Sequence, residues 1–221
     1  MSKLRILFSV LGMLLAFGSA RAEYPEKQIS MVVCFPAGGG TDIAARLVNI
    51  PLGEALGKPV VIENRGGAGG NIAIAAVKRL PADGYTLLVC SSAFVVNPSL
   101  YAQATYDPLK DYIPLMVMGA SPNVFVVPAQ SEIKSMKEFI DKAKAANGKM
   151  NWTSPGAGTT PQLAGELLKI RTWIEMQHIP FPGAGPATNA AIAGQRAFDV
   201  TAIGLTLPPS IRPCTEPMLA V

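Results

Sequence analysis

Two stretches of this chain run from an apolar segment straight into a glycine-rich turn and then into helical spacing. That repeat constrains the fold more than any other feature. In the first, Ile29-Ser-Met-Val-Val-Cys-Phe35 is a near-continuous run of β-forming apolar residues, the pattern of a strand buried on both faces. Pro36-Ala-Gly-Gly-Gly40 follows, with Thr41 or Asp42 as the expected N-cap. Ala44, Ala45, Leu47, Val48, Leu52 and Leu56 then recur near helical spacing, interrupted by Pro51 and stopped at Gly57. In the second, Met150 to Thr153 reads as a short strand and Ser154-Pro-Gly-Ala-Gly-Thr-Thr160 as the turn. Pro161 suits the first position of a helix reaching about Ile170.

The rest of the chain alternates in the same way. Val60 to Ile62 is a strand, Asn64 to Asn71 a second glycine-rich turn, and Ile72 to Leu80 a helix closed by Pro81-Ala-Asp-Gly84. Tyr85 to Cys90 is a third strand, with Ser91-Ser-Ala93 at its end. Residues 107–114 form a connector, and Leu115 to Met118 and Val124 to Val127 read as strands. Ser135 and Glu138 make a capping box that opens a helix to about Ala146. Ile174 to Phe181 is a strand, Gly183 to Pro186 a turn before a helix through Ile192, Phe198 to Leu205 a strand, and Met218 to Val221 the start of another. Strand–helix alternation implies parallel sheets with right-handed crossovers. Loops at the carboxyl ends of such strands are where open α/β sheets bind ligands. A helix start there, with unpaired N–H groups and partial positive charge, suits an anion.

The formal charge of +4 has to be located before it is used. Residues 1–22 carry a basic start (Lys3, Arg5), an uncharged run from Ile6 to Phe17, and Ala20-Arg-Ala22, the three-part layout of a cleaved secretory signal peptide. A 12-residue helix rises about 18 Å, short of the ~30 Å hydrocarbon core, so a membrane anchor fits less well. Cleavage after Ala22 makes Glu23 the mature start and removes three of the four net positive charges. No Cys follows the cleavage site to carry a lipid. No cluster of Lys and Arg interleaved with aromatics remains, so nucleic-acid binding loses its support. With 49% apolar and 15% charged residues the chain is not disordered. Three cysteines and one histidine exclude a disulfide-dense scaffold and a multi-His or CxxC zinc site. Export permits disulfides. Cys34, Cys90 and Cys214 read either as two buried small hydrophobes and one exposed thiol, or as a Cys34–Cys90 pair with Cys214 over, since Cys34 and Cys90 each end a run read as neighbouring strands.

Catalytic templates mostly fail. There is no G-x-S-x-G elbow. Gly53 to Pro59 resembles a P-loop but is one residue short and has Pro59 where Ser or Thr must hold Mg²⁺. Gly67-Ala-Gly-Gly70 lacks the third glycine of a dinucleotide fingerprint. Asp42 and Glu63 have no evident acid–base partner. His178 lies in an apolar strand and reads as a core or rim histidine; Trp152 and Trp173 read as packing residues. Either glycine-rich loop alone is readily a turn. Two of them at strand-to-helix junctions of an exported chain point to a ligand cleft.

The motifs carry a family resemblance. Residues 24–221 resemble the substrate-binding subunit of tripartite tricarboxylate transporters, the TctC or Bug family of periplasmic receptors. The matching segments are Tyr24-Pro25, Phe35 to Asp42, Val60 to Arg65, Gly67 to Asn71, Pro81 to Leu88, Gly156 to Thr160, Ala164 to Leu167 and Gly183 to Ala187. The resemblance implies an α/β fold of the periplasmic binding protein type II kind, with two Rossmann-like lobes and a cleft between them. The lobes would span 23–122 and 123–221, the second incomplete at its C-terminus. It implies a small carboxylate ligand: a di- or tricarboxylate, an acidic amino acid or an aromatic acid. It further implies no cofactor, no metal, no catalysis, a monomer, and delivery to inner-membrane permease subunits of the transporter.

By the same resemblance, Phe35, Pro36, Ala37, Gly38 and Gly39 with Thr41 and Asp42 form the first wall, whose backbone N–H groups hold one carboxylate. Ser91 and Ser92 complete it. Ser154, Thr159 and Thr160 grip the distal end through hydroxyls and helix-start amides. Amide donors aimed at a carboxylate make charge-assisted bonds without an arginine, and lobe closure would exclude water. The chain departs from the family pattern at Cys34, where Pro or a small residue is usual, and at Phe181-Pro182, where Tyr-Lys is usual. Residues 206–217 match poorly, and family members run on well past residue 221, so the chain reads as cut short. Two other readings stand beside the receptor: a non-functional fragment of one, and an exported enzyme using the same cleft.

Overall fold

A computed structural model describes residues 23–193, 198–202 and 211–213. The proposed signal peptide, Cys214, the far part of the strand read at 198–205 and the strand start read at 218–221 lie outside the described residues.

Two sheets form. The first has three parallel strands, β1 (Ile29–Val33), β2 (Val60–Asn64) and β3 (Thr86–Val89), in the order β2-β1-β3. Ile29 to Val33 pair in step with Val60 to Asn64, and Ser30 to Val33 with Thr86 to Val89. β1 is central, and its side chains alternate between two cores, as period-2 geometry requires. Ile29, Met31 and Val33 pack with Ala45, Leu52 and Leu56 of helix α1 (Gly40–Leu56). Val32 and Cys34, with Phe35, pack with Ala73 of α2 (Asn71–Val77) and Ala93 of α3 (Ala93–Leu100). Burial on both faces is why this segment lacks the polar alternation of a half-exposed strand.

The second sheet has the order β6-β5-β7-β4-β8, with β4 Asn123–Pro128, β5 Asn151–Ser154, β6 Gln177–Pro180, β7 Phe198–Ala202 and β8 Ile211–Pro213. β5 is parallel to β6 and β7, whereas β4 runs antiparallel to β7 and β8. The all-parallel expectation therefore holds for the first sheet and not for the second. The difference arises because β4 enters directly from a connector rather than through a crossover helix. Helices α4 (Met136–Ala145), α5 (Thr160–Thr172) and α6 (Ala184–Ile192) complete this half. Its core gathers Phe125, Phe139, Trp152, Leu168 and Met176. Half of the capping box forms at α4: Glu138 N–H donates to Ser135 Oγ at 3.2 Å, while Glu138 Oε2 accepts the N–H of Lys134, one residue before the N-cap, at 2.7 Å.

Several local expectations are corrected. α1 continues through Pro51 to Leu56. The carbonyl that Pro51 leaves unpaired belongs to Leu47, on a face open to water. Its N-cap is Gly39, without a side-chain cap, so neither Thr41 nor Asp42 holds that position. Helix α3 follows β3 where only a strand end was read. Leu115 to Met118 form no strand, and Val117 is 85% exposed. Only Met118 packs on the first core. An apolar run becomes a strand when a partner edge is there to pair with it. Trp173 is 88% exposed and so is not a packing residue.

Candidate functional site

Asp42 shows how the first wall is built. It sits in the first turn of α1, only 1% exposed. Its Oδ2 accepts the Gly38 N–H and the Arg46 Nε–H, each at 2.8 Å. Its Oδ1 accepts from Asn64 Nδ2 at 2.9 Å, and the same nitrogen donates to the Phe35 carbonyl at 3.0 Å. The carboxylate therefore ties the loop, the helix and the end of β2 into one unit. Gly38 turns the loop at φ +83°, a conformation that favours glycine. Ala37, Gly38 and Gly40 are exposed on the loop, Pro36 and Thr41 are half-buried, and Phe35 and Gly39 are buried. Asp42 thus shapes the wall from behind; its oxygens face the loop's own donors rather than a solute.

Burial opposes the charge on Asp42, but the hydrogen bonds from Arg46, Gly38 and Asn64 and the Arg46 charge outweigh it, so the carboxyl titrates below its ordinary value. A depressed folded value contributes stability that is fully present above the unfolded pKa of about 4 and is lost as pH falls through the lower folded one. Thermal melts are therefore expected to show a stability loss on acidification below about pH 4 that is smaller in an Asp42→Asn variant.

The second part of this wall follows β3. Ser91 Oγ accepts the Ala93 N–H at 3.2 Å at the start of α3. Ser92 Oγ is buried and has no hydrogen-bond partner among the described residues. Cys34 and Cys90 are joined by a disulfide, Cα–Cα 5.3 Å.

The opposite wall comes from β5 and α5. Ser154 Oγ accepts the Gly156 N–H at 3.2 Å and lies 2.8 Å from His178 Nε2. Thr159 Oγ1 donates to the Gly156 carbonyl at 2.6 Å. Ser154 and Thr159 are both buried, so their hydroxyls fix the loop from inside rather than face outward as expected. Thr160 is exposed, with its Oγ1 3.4 Å from Asn123 Oδ1.

The turns of the two sheets touch in a ring. A Cβ placed on Gly66 or Gly183 would lie 2.7 or 3.0 Å from the Pro36 ring, and one on Gly156 would lie 3.3 Å from the Phe181 carbonyl and 3.7 Å from the Gly69 Cα. One on Gly69 would lie 2.6 Å from the Ala157 carbonyl. Glycine at these points lets the chain pass against the Pro36 ring and against facing backbone. Pro36, Gly66, Gly69, Gly156, Ala157 and Gly183 thus lie close to one another.

Four residues outside the expected walls hold these loops. Asn64 and Arg46 hold Asp42. Asn97 is fully buried, and its Nδ2 donates to Gly69 O at 2.9 Å and Asn71 Oδ1 at 3.0 Å, which fixes the amide and leaves Oδ1 without a hydrogen-bond partner beside Gly158. His178 stacks 4.3 Å from Trp152 while holding Ser154. Burial lowers its pKa, with Glu166 opposing and Lys169 adding. The Ser154–His178 contact has the elements of a nucleophile and base, yet Ser154 Oγ is enclosed and already engaged by Gly156. A hydroxyl held this way orders a loop. Among the described residues no group of three or more His, Cys, Asp or Glu is placed to hold a metal, and no helix is long and apolar enough to cross a membrane.

Residues 44–213 match the model of a family described as the tripartite tricarboxylate transporter family receptor. The protein BugT of Bordetella pertussis is 36% identical over 201 residues, 88% of this chain and 62% of its own length. A protein encoded in the tcbD-tcbE intergenic region of a Pseudomonas species is 35% identical over 80% of this chain and 54% of its own. The chain thus spans little more than half the length of these relatives. Among solved structures, a Rhodopseudomonas palustris protein with adipate superposes at TM-score 0.82 with 31% identity, covering 86% of this chain and 66% of that one. MatC of the same organism, with bound malate, superposes at 0.73 with 29% identity, covering 81% and 61%. The α/β fold is therefore that of the periplasmic binding proteins.

Proposed function

We propose that this chain, which belongs to the tripartite tricarboxylate transporter receptor family, is a periplasmic receptor that captures a small carboxylate between its two glycine-rich walls and presents it to the transporter's membrane permease. The matching family is one of receptors, which favours binding over catalysis. The observation that carries the reading is the ring of strand-to-helix turns. It brings Pro36 of the loop into α1 beside Gly183, and Gly156 and Ala157 of the loop into α5 beside Gly69; in this reading Ala37, Gly38, Thr41 and Thr160, exposed or half-buried there, would meet the solute. Helix-start amides have no intrahelical acceptor and attract a negative group. The adipate and malate of the two solved neighbours are both dicarboxylates, which supports that ligand class here. Lobes of 23–122 and 123–221, export through residues 1–22 and action as a monomer belong to the same reading.

Differential scanning fluorimetry and calorimetry with adipate, malate, citrate, glutamate and benzoate test it. One acid class is expected to raise the melting temperature, with about 2.7 kcal/mol of stabilisation at a hundredfold excess over Kd. The corresponding amide should have no effect. If every acid behaves like its amide, the receptor reading fails.

A further inference from the structure

Three turn roots of the first wall meet at one pair of sulfurs. Cys34 is the residue between β1 and the loop Phe35 to Gly39, and Cys90 stands between β3 and Ser91-Ser92. The β1–β3 ladder ends just below them, where the Cys34 N–H donates to the Val89 carbonyl at 3.0 Å. The disulfide is the next link across, with Cα atoms 5.3 Å apart. The third root is Gly70, at φ +96°. A Cβ there would lie 3.3 Å from Cys34 Sγ and 3.4 Å from Cys90 Sγ, so its backbone rests directly on the bridge. Gly70 opens α2, and the adjacent Gly69 is the residue that meets Gly156 of the opposite wall.

We propose that the Cys34–Cys90 disulfide is a redox-set positioning element of the capture site: the oxidised chain holds the wall in its binding geometry, and the reduced chain binds carboxylate weakly. The inference rests on the receptor reading above. Two free thiols need more room than two bonded sulfurs. With Gly70 already packed on the pair, that room comes from movement of the loop roots. Cys34 is fully buried while Cys90 is partly exposed, so an incoming dithiol attacks Cys90 Sγ. The Sγ–Sγ bond breaks and Cys34 leaves as a thiolate that takes a proton. The second thiol of the reductant then displaces Cys90, which is also protonated. Two electrons and two protons pass to the protein, and the reductant leaves as a disulfide.

The test compares the chain before and after dithiothreitol, with thiol alkylation counting the cysteines freed. Adipate and malate are the probes, and amide hydrogen exchange is read well below the melting temperature. Reduction is expected to weaken the affinity about tenfold, because binding groups must be held within about 0.5 Å. It should also speed exchange at 37–41 and 91–93. A Cys34→Ala/Cys90→Ala variant should show loop exchange that no longer responds to dithiothreitol. A merely structural bridge would lower the melting temperature and leave affinity and loop exchange unchanged, and that result overturns the proposal. So does alkylation of all three cysteines in the exported, unreduced chain. If neither acid binds in either state, the receptor reading fails, while the exchange data still decide whether the bridge positions the loops.

Discussion

Replacing Asp42 with Ala is expected to lower unfolding free energy by about 3 kcal/mol and to remove measurable carboxylate capture. Breaking a buried, hydrogen-bonded charge pair costs about 3–5 kcal/mol. Arg46 reaches solvent and recovers some hydration, which sets the figure at the lower end. The Gly38 N–H loses its acceptor and the Asn64 amide one of its two. Loss of capture follows from geometry: without the carboxylate the Gly38 N–H has no tie to the first turn of α1, and the loop loses the bond that fixes its shape. Urea melts measure the first effect and calorimetry with adipate and malate the second. Asp42→Asn should fall between, since it keeps an acceptor but sets an NH₂ group against donors that already face it. An Asp42→Ala chain with parental affinity would show that the loop does not depend on this tie.

The second large effect is expected in the other half. Gly165 faces Trp152, and a Cβ there would run into the indole ring. Trp152 is completely buried among Phe125, Phe139, Leu168 and Met176, so the ring has nowhere to retreat. Overpacking a dense core costs about 1–3 kcal/mol. Gly165→Ala belongs at the upper end because backbone and a rigid ring share the strain, even after the gain in helix propensity. Adding Trp152→Phe should return part of the loss, a coupling that a double-mutant cycle measured by urea melts would report. An uncoupled pair would mean that helix α5 shifts to absorb the methyl.

What was legible in the sequence is what local chemistry dictates. Burial of β1 on both faces is written in Ile29 to Phe35 with no polar alternation. The turns at Gly38 and Gly156 announce themselves because they need left-handed or unusual backbone angles. Ser135 caps α4 as read, though the Glu138 carboxylate turns to Lys134 rather than to the N-cap itself. What was not legible depends on partners distant in the chain. α3 contains Val95, Val96 and Pro98, a composition that argues against a helix, yet one forms after β3, with Ala93 packed into the first core. Leu115 to Met118 has strand composition but no edge to pair with. The inward turn of the Ser154 and Thr159 hydroxyls could not be seen, because whether such a hydroxyl binds a solute or its own Gly156 depends on the loop's path. Likewise Asp42 was assigned to the wall by its place in a motif, and only the approach of Asn64 and Arg46 reveals which way its oxygens point.

The ring of touching turns also sets a clock. If the receptor reading holds, a solute lodged beside these contacts cannot drift straight in, because the Gly69, Gly156 and Ala157 backbone and the Pro36 ring already occupy the approach. Entry must wait until the two sheets part, and exit waits on the same event. Association is then governed by how often the ring opens rather than by diffusion, and tight binding is expressed as a long residence time rather than a fast encounter.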